Sequence, residues 1–167
     1  MKKLSFYLLA TLFSLGTICS FTSCSDDDDD KDKDVMPALS TLAGTYSGLL
    51  DVEMAGNPII TDEAKDIKVE LAGNNAIDLE LSNLTINVMG RPMALGDIKL
   101  TDLPLTEDKT DKEYDFHKAD IPMELMGGTI SCTITVDGDI NGNKVDADLN
   151  ILWNNLTIKV EFEGTKK

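Results

Sequence analysis

The chain carries a single histidine, His117. One histidine cannot build a zinc cluster of the usual His-rich kind, and Asp115-Phe116-His117 reads as an exposed strand end. No H-E-x-x-H, G-x-S-x-G or phosphate-cradling G-x-x-x-x-G-K-[ST] stretch occurs, so the familiar hydrolase and nucleotide signatures are missing. Basic residues are scarce: 15 Lys and Arg stand against 30 Asp and Glu, for a formal charge of −15. A nucleic-acid partner needs a basic face and is excluded. Cysteine is almost as rare, with three in 167 residues. After residue 23 there is no long apolar run and no convincing helical period.

The one apolar run lies at the start. Lys2 and Lys3 precede Leu4–Ile18, and Thr22 and Ser23 follow. A positive start, a short apolar core and small residues behind it mark a secretory signal. A membrane-spanning helix is the competing reading, but the run falls short of the ~20 residues a span needs. Phe21-Thr22-Ser23-Cys24 resembles the lipobox of bacterial lipoproteins, with Phe21 where Leu is usual. The resemblance implies cleavage before Cys24, acylation of its sulfur and a partner in the lipid bilayer. Cys19 is the rival site, but bulky Ile18 precedes it. Removal of Cys19 and lipidation of Cys24 leave Cys132 alone, so no internal disulfide can form, and the domain must rely on its core.

Five aspartates follow Cys24 almost at once. Like charges repel, so the segment stays extended and solvated and spaces the domain from the membrane. Ser25, Asp26, Asp27, Asp28 and Asp29 also resemble the signal that sends lipoproteins to the outer face of the outer membrane in some Gram-negative gut bacteria. Three parts are expected: a signal peptide over 1–23, a lipidated cysteine and acidic tether over 24–41, and one domain over 42–165. The expected location is the outer membrane, lipid-anchored and facing outward.

The domain reads as strands joined by turns. With Asn141-Gly142 as a two-residue turn, Ile130 faces Trp153, Cys132 Ile151, Ile134 Leu149 and Val136 Ala147. With Asn154-Asn155 as the next turn, Ile151 faces Ile158, Leu149 Val160 and Ala147 Phe162. One face stays apolar over three strands, at 129–140, 144–153 and 156–163. Residues 44–54 alternate Tyr46, Gly48, Leu50, Val52 and Met54 against polar neighbours. Around Gly73-Asn74-Asn75, Leu71 faces Ile77, Val69 Leu79 and Ile67 Leu81. After Asn83 the apolar parity shifts to Leu84, Ile86 and Val88, which predicts a bulge. Further strands are expected at 95–105 and 113–119. Eight antiparallel strands can close into an up-and-down barrel and remove exposed edges. A two-sheet sandwich is the alternative.

Gly44-Thr45-Tyr46-Ser47-Gly48, Met89-Gly90-Arg91-Pro92-Met93, Leu95-Gly96-Asp97-Ile98 and Val160-Glu161-Phe162-Glu163-Gly164 carry a resemblance to a family. Over residues 42–165 the chain resembles the calycin-like, lipocalin-like β-barrel lipoproteins of gut bacteria. The resemblance implies an all-β, eight-stranded barrel. It brings no catalytic residues and no cofactor.

Asp137-Gly138-Asp139-Ile140-Asn141-Gly142 has the start of a calcium loop, with Asp148 at the twelfth position. A bidentate Glu belongs there, and flanking helices are needed; the hairpin explains the residues better. That register sets Asp137 opposite Asp146, Asp146 opposite Glu163 and Asp148 opposite Glu161 on the outer face. These five carboxylates form either a weak Ca²⁺ site or a solvated acidic face. Cys132 sits on the apolar face, where a thiol is inert. Met89, Met93, Met123 and Met126 fall near turns and either ring a barrel mouth or plug it. Gly48, Cys132, Gly138 and Ala147 are small and point inward, which predicts room inside. The expected function is a non-catalytic module that binds a small apolar ligand. The competing function is a packed barrel that presents its surface to a protein or glycan.

Overall fold

A computed structural model describes residues 36–88 and 90–167. The expected signal peptide over 1–23, Cys24, Ser25, Asp26–Asp29 and Met89 lie outside the described residues. A short 3-10 turn, Leu39–Thr41, precedes the strands β1 (Gly44–Met54), β2 (Asn57–Leu71), β3 (Ala76–Val88), β4 (Arg91–Asp108), β5 (Glu113–Leu125), β6 (Ile130–Ile140), β7 (Lys144–Trp153) and β8 (Leu156–Lys166). Each strand pairs antiparallel with the next, and β8 returns to β1 through pairs from Tyr46 with Lys166 to Met54 with Ile158. The sheet closes into the expected up-and-down barrel, so the sandwich is excluded.

Two hairpins have the expected register. Ile67 faces Leu81, Val69 Leu79 and Leu71 Ile77 across β2 and β3. Ile151 faces Ile158, Leu149 Val160 and Ala147 Phe162 across β7 and β8. Asn154 and Asn155 both take left-handed φ, 47° and 63°, as a type I′ turn requires.

The β6–β7 hairpin is slid by two residues. Ile134 faces Ile151 rather than Leu149, and Val136 faces Leu149 rather than Ala147. The turn explains the slide. Left-handed φ, 84°, falls on Gly142 and not on Asn141. The Asn141 side chain instead accepts the backbone N–H groups of Asn143 and Lys144, at 3.2 and 3.0 Å. Asn141 therefore precedes the turn, whose centre is Gly142-Asn143. Because side chains alternate with period two, a two-residue slide keeps every one on its predicted face.

The bulge expected at Asn83 is present, and it belongs to a series. Asp62, Asn83, Asp102 and Asp120 have φ of 53–54°. They lie in β2, β3, β4 and β5, and the strand registers shift beside them. Asp and Asn are the residues that tolerate this conformation best after glycine. A neighbouring aspartate accepts the freed backbone N–H at three of them: Asp51 for Asp62 (2.7 Å), Asp97 for Asn83 (2.8 Å) and Asp78 for Asp102 (2.9 Å). The bulges let β4 and β5 run on to Asp108 and Leu125, beyond the expected strands.

Every buried side chain among the described residues is apolar or aromatic, and none is charged. The outward positions of β6, β7 and β8 carry Asp137, Asp139, Asp146, Asp148, Glu161 and Glu163. A membrane-spanning barrel shows an apolar band outward; this barrel is arranged the other way round. Among the described residues no helix is long and apolar enough to cross a membrane.

Candidate functional site

Alternating up and down strands give the barrel two different ends. The turns β1–β2, β3–β4, β5–β6 and β7–β8 share one end, the rim. The turns β2–β3, β4–β5 and β6–β7 share the other, where the chain enters through Met36–Ala43.

The rim gathers the predicted methionines. Met93 near the start of β4 and Met123 near the end of β5 are half-buried and pack on the core. Met126, in the β5–β6 turn, is 36% exposed, and its N–H donates to Leu95 O at 2.9 Å. Met54, Ile59, Val88, Ile121 and Trp153 add half-buried apolar surface at the same end. Met54 and Trp153 are the last inward residues of their alternations, a signal that the sequence carries beside the methionines. Cys132 lies just below, 8% exposed, with its Sγ donating to Met123 O at 3.5 Å. Burial pushes its thiol pKa up, so it is not a thiolate at neutral pH.

Below the rim, the room expected at small inward residues is not there. A Cβ on Gly138 would run into the Phe116 ring and the Asp146 carbonyl oxygen. One on Gly48 would overlap the Glu163–Gly164 backbone, and one on Gly164 would lie 2.5 Å from the Phe162 ring. The glycines admit aromatic rings and a neighbouring strand rather than a ligand. The three clefts described all open on the outer face.

The largest of these, about 600 Å³, is lined by Glu113, Asp139, Asp146, Glu163, Ser47 and Lys144 among others. Asp146 faces Glu163, and Asp148 faces Glu161, as expected. Asp137 faces Asp148 rather than Asp146, and Asp139 takes its place, because the hairpin is slid. Burial, then the charges of Asp139 and Glu163, push the Asp146 pKa up to about 6. Burial, then Asp139, Asp111 and Asp115, push Glu113 up to about 7. Asp139 is raised as well, first by burial and then by Asp115. These carboxylates repel one another in a partly dry cleft. Glu161 is engaged by Lys159 and Asp137 by His117 Nδ1, the latter at 2.5 Å. Among the described residues no three His, Cys, Asp or Glu side chains come together in a way that could hold a metal ion.

Among the described residues the exposed large hydrophobics are Leu49, Leu71, Met126 and Leu152, none of them aromatic.

An apolar-cored, closed, eight-stranded barrel with a charged exterior defines the class. Residues 42–165 match the calycin-like beta-barrel domain family, and the chain belongs to it. The chain is also similar to a crystal structure of a protein provisionally designated an outer membrane protein, from Bacteroides fragilis NCTC 9343. The TM-score is 0.63 at 20% identity, over 78% of this chain and 53% of that one. The likeness is one of fold, and this chain spans about half of that protein's length. No curated protein matches.

Proposed function

We propose that the chain is a lipid-anchored surface module without catalytic activity that meets a partner at its apolar rim. Acylated Cys24 holds it to the outer membrane, and Ser25 with Asp26–Asp29 directs it outward. The observation that carries the reading is the contrast between a filled interior and a half-exposed rim of Met54, Met93, Met123, Met126 and Trp153. Methionine side chains adapt to irregular apolar partners, and apolar surface left half wet favours association. The rim lies at the end opposite the chain's entry, so the tether does not join the barrel there. A small apolar ligand seated on the same methionines is the second reading, favoured by the half-burial of Met93 and Met123.

Photo-crosslinking in the native cells tests this. Benzoylphenylalanine placed at Met126 or Ala55 is expected to give discrete adducts, while the same group at Lys68 or Lys99 on the outer wall gives none. Adducts confined to the outer wall would overturn the rim as the contact surface. A Cys24→Ser chain that still fractionates with membranes would overturn the anchor.

A further inference from the structure

The wall of the barrel is not knitted evenly. β2 and β3 pair only from Ile67 with Leu81 to Leu71 with Ile77, at the end away from the rim. Toward the rim, residues 57–66 stay with β1 and residues 84–88 with β4. Among the described residues, these two stretches form no ladder pairs with each other. A gap therefore runs down the wall from the rim. A cleft of about 490 Å³ marks its closed end, lined by Gly48, Ala64, Lys65, Asp66, Ser82 and Asn83 among others. There Lys65 Nζ crosses from β2 and donates to the Asn83 carbonyl oxygen at 3.2 Å.

β4 and β5 also part, since they pair only from Leu105 with Phe116 to Asp108 with Glu113. That gap is bridged at both ends. Lys118 Nζ donates to the Thr101 and Asp102 carbonyl oxygens at 2.9 and 3.3 Å. At the rim, the Met126 N–H reaches Leu95 O at 2.9 Å. Pro92 and Pro122 blunt its two borders.

The borders of the first gap differ from each other. β2 is blunted as edge strands usually are: Pro58 lacks a donor, Asp62 bulges and Lys65 reaches into the gap. β3 has no such device over residues 84–88, Leu-Thr-Ile-Asn-Val, which hold neither charge nor proline. The hairpin fixes which way its peptide groups point. Val88 pairs with Arg91 at the hairpin's end, and Ile86 with Met93 two residues on. Alternate residues of such a strand bond to opposite sides. Asn87 faces Pro92, which has no N–H to give it. The N–H and C=O groups of Thr85 and Asn87 therefore turn away from β4 and into the gap. A row of peptide groups left facing sideways is a template for an added strand.

The surroundings specify what such a strand would carry. The inward residues beside the gap, Ile60, Leu84 and Ile86, are buried and apolar. The β2 border presents exposed Asp62 and Glu63, and Asp66 lines the cleft. We propose that the gap between β2 and β3 takes an extended segment of a partner protein as an added strand on β3. Apolar side chains of that segment face the core, and alternating basic ones face the carboxylates of β2. The site lies in the barrel wall and uses none of the rim methionines, so its failure would leave the reading of the rim untouched.

The test uses the full chain in mild detergent and a short fluorescein-labelled peptide of alternating valine and lysine, followed by fluorescence anisotropy. Binding is expected, with hydrogen exchange of the Thr85 and Asn87 amides slowed at least about tenfold. Methylating the peptide's backbone nitrogens on the edge that meets β3 keeps its charge and removes its donors. That change is expected to weaken binding at least about tenfold. Asn87→Pro removes one N–H that faces the gap and leaves the β3–β4 ladder intact, for an expected loss of about fivefold. Glu63→Lys is expected to weaken binding by about threefold. Should Asn87→Pro fail to fold, the methylated peptide on the wild-type chain decides the matter. A methylated peptide that binds as well as its parent would overturn the proposal, because charge alone would then explain uptake. So would an absence of binding, or binding that leaves the Thr85 and Asn87 amides exchanging as before.

Discussion

Replacing Phe116 by alanine is expected to lower the unfolding free energy by about 3–5 kcal/mol, the usual cost of deleting a buried aromatic ring. Phe116 is 2% exposed, and its ring fills the notch that Gly138 leaves on β6. Gly138→Ala is expected to cost about 1–3 kcal/mol by overpacking, since its Cβ would press on that ring and on the Asp146 carbonyl oxygen. The two changes share one space, so they should not add. Removing the ring relieves half of the overlap, and the Asp146 oxygen keeps the other half. The double variant is therefore expected to recover about 1 kcal/mol relative to the sum. Urea denaturation of the three variants measures this. Strict additivity would mean that the ring does not fill the glycine notch.

The acidic cleft gives the barrel an unusual dependence on pH. Glu113 and Asp146 have folded pKa values of about 7 and about 6, above their ordinary values. A carboxyl with a raised pKa binds its proton more tightly when folded. Its contribution to stability is fully present below the ordinary carboxylate range, near pH 4, and is lost as pH rises through 6 and 7. Asp66, held low by Lys167 and Ser47, and Asp108, held low by the Thr110 and Asp111 N–H groups, act oppositely. Their contribution is lost only as pH falls below the ordinary range. Stability is thus expected to peak at about pH 4.5–5.5 and to fall by ~1–2 kcal/mol on the way to pH 8, after allowance for solvent screening. Glu113→Gln with Asp146→Asn should raise stability at pH 8 and flatten the curve. Calorimetric melting across this range checks both. A melting temperature that rises from pH 5 to pH 8 would contradict the cleft's electrostatics.

Much of the barrel was legible because its side-chain period is two. Inward sets such as Ile67-Val69-Leu71 and Leu149-Ile151 announce themselves by alternation, and the Asn154-Asn155 turn sets the β7–β8 register. Where two turn centres serve the same alternation, as at Asn141-Gly142-Asn143, the pattern cannot choose between registers two residues apart. The choice came from the Asn141 side chain, whose oxygen caps the turn. The bulges at Asp62, Asp102 and Asp120 were harder to read than the one at Asn83. Their signal is a parity shift inside runs rich in polar residues, with the capping aspartate on another strand.

The candidate site was legible in part. Met93, Met123 and Met126 do share one barrel end, because each lies next to a turn on that side. The filled interior was not legible. Gly48 and Gly138 look like empty space in a list of inward residues. Whether a glycine leaves a void depends on which ring or strand crosses it, and that is set by partners far away in sequence. The docking of the entering segment Met36–Leu42 was hidden for a similar reason. Pro37, Thr41 and Leu42 meet Tyr114, Lys166 and Tyr46 only after the barrel closes, and their backbone carbonyls carry no residue signature.

The barrel is packed full, and we propose that it binds at its surface. Native mass spectrometry of residues 25–167, purified gently from cells and never refolded, tests it most directly. The expected mass is that of the bare chain. A discrete additional mass that survives purification, and that is lost when Met93 and Met123 are changed to serine, would show a retained ligand and contradict it.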